Sequence, residues 1–135
     1  MSERSHSLLQ MRPQILQASI VNLTSSDQHF QNETLRPILK FQNVLLLAVF
    51  KNYIGKHKNR FYELPLEKRM IYIENAVQKD IKFRNSLKGI IIGQFTVAEY
   101  ERYILSSSAL NKRMMGMVIA RLKDQIQYFE ENALV

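Results

Sequence analysis

The chain has no cysteine and no tryptophan, and only four glycines, three prolines and three histidines among 135 residues. Without cysteine there is no disulfide, no thiolate metal ligand and no thiol nucleophile. His6, His29 and His57 stand far apart, and no pair has helical ligand spacing. The Glu-x-x-His signature of di-iron bundles is missing too, so no metal and no cofactor is expected. There is no Gly-x-Ser-x-Gly elbow. The one Gly-Lys-His-Lys stretch, 55–58, has a single glycine and leaves a helix rather than entering one, unlike a phosphate loop. The sparse glycine and proline favour long helices over many short strands. The best membrane candidate, 38–54, contains Lys40, Gln42, Asn43, Lys51 and Asn52, whereas a span needs about 20 mostly apolar residues. The first ten residues hold no apolar run of the signal-peptide kind, so a cytoplasmic location is expected.

Acids are scarce as well: 12 against 19 lysines and arginines, a net charge of +7. The excess is local. Between 33 and 60 stand six bases (Arg36, Lys40, Lys51, Lys56, Lys58, Arg60) against Glu33 alone. A basic excess suits an anionic partner such as nucleic acid.

What is abundant is apolar surface. Residues 44–50 read Val-Leu-Leu-Leu-Ala-Val-Phe without a polar break. On a helix such a run is apolar on every face, so it is expected to lie at the centre, wrapped by the remaining helices. Its flanks (Leu35, Ile38, Leu39, Tyr53) keep steps of three and four, which predicts a main helix over 35–56. Thr34 is its candidate cap, which would place Pro37 harmlessly in the first turn. A start near Asp27 would instead force Pro37 to kink the helix. Pro65 opens a second amphipathic helix with Leu66, Met70, Ile73, Val77 and Ile81 on one face. It continues to about residue 94, straight or bent, with Gly89 and Gly93 as a smooth strip for close backbone approach. Thr96-Val-Ala-Glu99 is a capping box, flanked by Phe95 and Tyr100 placed as a hydrophobic staple. A short helix over 97–105, a Ser106-Ser-Ser108 connector and a last helix over 109–131 complete the chain.

The fold class expected is therefore all-α: an irregular or orthogonal bundle of four to five helices over 27–135, preceded by a partly flexible N-terminal arm over 1–26. The arm's apolar residues, including Leu8, Leu9, Ile15, Leu16 and Ile20, imply that it docks on the bundle or on a second copy.

Three stretches carry a family resemblance: Glu33-Thr-Leu-Arg-Pro-Ile-Leu-Lys40, Ile81-Lys-Phe-Arg-Asn-Ser-Leu-Lys-Gly-Ile-Ile-Ile-Gly93 and Ser107-Ser-Ala-Leu-Asn-Lys-Arg-Met-Met115. The chain resembles, over about 30–130, a small all-helical family of uncharacterised bacterial proteins, some of which are labelled glyoxalases. The resemblance transfers no activity residue by residue. Glyoxalases of the vicinal-oxygen-chelate type hold metal with His and Glu on β-strands, and no strand pattern is present here.

Two sets of residues stand out as sites. Asp80 and Arg84 lie one turn apart beside the apolar face, spaced for a buried ion pair or an anion hook. Lys51, Lys56, Lys58 and Arg60, with Phe61 and Tyr62 following, are spaced to grip phosphate and stack a base. Lys112 and Arg113, near the start of the last helix, occupy the place from which a recognition helix would read DNA. The reading that follows is a non-enzymatic helical interaction module, self-associating as a homodimer or binding another protein. The alternative is a nucleic-acid-binding protein that uses the basic 51–60 region.

Overall fold

A computed structural model describes residues 2–14 and 25–133, and the side chains to residue 130. The apolar 15–23 stretch of the arm lies outside the described residues. Among the described residues there is no strand. The all-α expectation holds, but the helices are shorter and more numerous than four or five. Seven have at least seven residues: α1 (Glu3–Met11), α4 (Asn43–Lys56), α5 (Leu66–Lys79), α6 (Ile81–Ile92), α7 (Val97–Tyr103), α8 (Ser107–Asp124) and α9 (Ile126–Ala133). Two shorter pieces, α2 (Ser26–Phe30) and α3 (Arg36–Phe41), flank a π-helical turn at Gln31–Leu35.

The first helical run starts early, with the Ser25 hydroxyl accepting the Gln28 N–H. It reaches Pro37 through the π turn, in which Arg36 N–H bonds back to Gln31 O. The wider turn accommodates a proline ring and its missing donor without breaking the run. Thr34 is thus no cap; its hydroxyl donates to Glu99 across 3.1 Å. The expected 35–56 helix is divided at Gln42 (φ −88°, ψ 3°). The last helix is divided likewise at Gln125, whose amide and Asn43 exchange hydrogen bonds of 2.8 Å. The stretch 66–94 bends at Asp80 (φ −83°, ψ 96°), which ends α5 and caps α6.

α5 packs on α6 and α8, and α6 also packs on α8. The core contains Leu46, Leu47, Phe50 and Ile54 from α4. Phe50 is fully buried and sits among the rings of Phe61, Tyr72, Phe83 and Phe129, with centroids 5.1–6.3 Å away. The 44–50 run is not wrapped on every side, however. Val44 is 76% exposed and Leu45 46%, continuing a stripe from the exposed Phe41. The run is apolar all round, yet the helix is covered on one face only.

The capping box at Thr96 and Glu99 forms in full. The staple beside it does not: Phe95 packs edge-on against Phe30 and Tyr103, and Tyr100 is exposed. Gly89 and Gly93 face no neighbouring helix; a Cβ at Gly93 would meet only Gly89 O of its own helix, and one at Gly89 would meet nothing. α1 docks on the α6–α7 junction through two arginines. Arg4 donates to Phe95 O and Gly93 O, and Arg12 donates to Gln94 O and both Glu99 oxygens.

Candidate anion-binding groove

The exit of α4 places the basic residues. Lys58 (φ 63°) and Asn59 (φ 56°) are both left-handed, and Asn59 N–H closes the helix onto Ile54 O at 3.1 Å. Left-handed backbone is strained for a side chain with a Cβ, by about 1 kcal/mol. The chain turns back there into a 3₁₀ turn at Arg60–Glu63. Arg69 of α5 then pins that turn. Its guanidinium donates to Leu64 O and Tyr62 O at 2.9 Å, lies over the Phe61 ring and pairs with Glu130.

Between this turn, α4 and the end of α5 opens a groove of about 730 Å³. Lys56, Lys58, Arg60 and Lys79 line it, with His57, Tyr53, Tyr72 and Asp80. A smaller hollow of about 280 Å³ on the other side of Tyr53 adds Lys82. Four cations thus face one carboxylate in the main groove. That carboxylate is already engaged. Asp80 accepts the Tyr53 hydroxyl at 2.9 Å and caps α6 through Phe83 N–H at 3.2 Å. The backbone bond from Phe83 and then the Tyr53 hydroxyl hold its carboxyl below the ordinary aspartate range. Among the described residues none of the four cations makes an ion pair.

Tyr53 forms the wall of the groove. Its ring lies 4.2 Å from Phe83 and 4.0 Å from His57, which stacks on it at 26°. His57 is exposed, so the column Phe83–Tyr53–His57 ends in solvent. Burial, and then the Asp80 carboxylate, push the Tyr53 phenol well above its usual range, which makes it a fixed donor rather than a base. The Tyr72 hydroxyl is buried and has no hydrogen-bond partner among the described residues, and burial raises its titration as well.

No protein-family model, curated protein or solved structure matches this chain.

The expected site residues separate. Lys56, Lys58 and Arg60 converge on the main groove. Lys51 lies on the other side of α4, in a second groove with Tyr62 and Tyr128. Phe61 is fully buried in the core and has no face free for a base. Asp80 and Arg84 form no ion pair; the helix breaks at Asp80, and its carboxylate turns to Tyr53 and the cap. Arg84 lines a different cleft, together with Lys112. Arg113 is held by Gln31 Oε1 at 2.8 Å. Asn111 accepts the Tyr103 hydroxyl at 2.5 Å, and α7 runs through a 3₁₀ turn straight into α8. Two of the three side chains at 111–113 are thus engaged within the fold, and Lys112 is exposed. Missed from sequence were Tyr53, Tyr72 and Lys79, which lie on two different helices. Among the described residues no three His, Asp or Glu side chains gather as a metal site, and no helix is long and apolar enough to cross a membrane.

Proposed function

We propose that the chain is a non-enzymatic helical module that binds single-stranded nucleic acid in the Tyr53 groove. One observation carries this reading: Lys56, Lys58, Arg60 and Lys79 meet in one open groove against a single carboxylate, Asp80, with which none of them makes an ion pair. Unpaired cations along a groove follow a phosphate backbone. The exposed His57 ring, stacked on Tyr53, offers the platform on which an unpaired base extends the column.

Fluorescence anisotropy with labelled mixed-sequence DNA and RNA strands, titrated across a salt series, tests the proposal. The expected result is binding that weakens steeply with salt, with preference for single strands over duplex. Salt-independent binding, or none at low salt, rejects it.

A second reading rests on the exposed stripe of Phe41, Val44 and Leu45. An apolar stripe of this kind favours self-association through α3 and α4. Size-exclusion chromatography with light scattering decides it: a dimer dispersed by Val44→Lys supports the reading, and a monomer at every concentration removes it.

A further inference from the structure

A second cleft, of about 620 Å³, lies against the first half of α8 and is separate from the Tyr53 groove. Arg84, Ser108, Asn111, Lys112 and Gly116 line it. Three features set it apart. The Arg84 Nε atom is buried and has no hydrogen-bond partner among the described residues. A buried charged donor left unsatisfied is costly, and in native proteins calls for a ligand or a water. The lining holds two cations and no carboxylate, and Lys112 makes no ion pair among the described residues. Asn111 has its carbonyl oxygen occupied by Tyr103, so its NH₂ group is the side left to donate. Finally, Gly116 sits in mid-helix, where glycine destabilises by about 1 kcal/mol relative to alanine. No packing demands it, since a Cβ there would meet nothing within 4 Å. Its missing side chain keeps the cleft open.

We infer that this cleft is a phosphate-monoester site, with Arg84 and Lys112 as the charged contacts. A phosphomonoester carries close to two negative charges, matching the two cations with no carboxylate left over. Its oxygens accept from a guanidinium edge, an ammonium, an amide NH₂ and the Ser108 hydroxyl at once.

The Arg84 Nε–H is directly visible in ¹⁵N–¹H spectra, and its resonance is assigned by its loss in Arg84→Lys. Inorganic phosphate is titrated into the full chain at constant ionic strength, with acetate in a parallel arm. The expected result is a saturable shift of that resonance with phosphate and none with acetate. Lys112→Ala, a surface change that leaves the fold intact, weakens the binding about tenfold, the scale of one charge-assisted hydrogen bond. Gly116→Leu, which places a side chain in the lining of the cleft, abolishes it. A shift that grows linearly without saturating means that water alone satisfies Nε and overturns the site. Unchanged phosphate affinity in Lys112→Ala overturns it as well, and acetate binding as tightly as phosphate overturns the ligand class.

Discussion

Two carboxylates in this molecule cap helices, and they are surrounded in opposite ways. Glu99 completes the cap of α7 through Thr96 N–H at 2.9 Å, accepts Thr34, and takes both arms of Arg12. Its partner Arg12 is only 9% exposed. Asp80 caps α6 and accepts Tyr53, but among the described residues the lysines and arginine around it make no ion pair. The first arrangement is closed and holds α1 to the bundle. The second is open, and its positive charge exceeds its negative charge. A satisfied polar network rigidifies a fold, whereas unpaired charge in a groove is available to a ligand.

The comparison breaks most visibly at Glu99. Replacing it by alanine leaves the Arg12 guanidinium without its ion partner and opens the cap, and lowers stability by about 3 kcal/mol. Urea denaturation measures the loss, while binding of nucleic acid stays unchanged. Equal binding losses in Glu99→Ala would show that the two regions are not separate.

Acid probes the same hub. Burial of Glu99 opposes its ionisation, but the bonds from Arg12, Thr96 and Thr34 outweigh burial and hold its carboxyl below its ordinary value of 4.5. A depressed folded value means that its contribution is complete above the unfolded value and is lost as pH falls below it. Melting temperature is therefore flat from pH 7 to about 5 and drops below 4.5. In Glu99→Gln that part of the acid drop disappears.

On the groove side the expected effects on stability are smaller. Tyr53→Phe removes one hydrogen bond to Asp80 while the cap remains, and lowers stability by about 1 kcal/mol. Lys58→Gly relieves the left-handed strain and raises stability by as much as about 1 kcal/mol, yet weakens nucleic-acid binding. The opposite signs distinguish a residue kept for binding from one kept for folding; a gain in both would contradict the groove.

Much of this was legible in the chain wherever the signal was local. The capping box needs four consecutive residues, and it forms as read. The helical class follows from periodicity. Breaks at Gln42 and Gln125 carry no glycine or proline to announce them; they depend on a contact between residues 82 positions apart. The Asp80–Arg84 pair failed because one-turn spacing presumes a continuous helix. An aspartate immediately before Ile81 and Phe83 is also an N-cap signal, and the competing bond to Phe83 N–H won. The run at 44–50 misled differently: an apolar sequence says which faces tolerate burial, not which are covered. The groove itself joins α4 to α5 through the 53–80 pairing, for which no local pattern exists.

The salt dependence of single-strand binding, compared between the native chain and the Lys56→Ala/Lys58→Ala/Arg60→Ala variant, tests the central claim most directly. Removing one phosphate-binding cation lowers the slope of log K against log salt by about 0.7 for a single strand. The groove predicts a slope reduced by about 2 with folding intact. An unchanged slope would place any nucleic acid elsewhere and contradict the account.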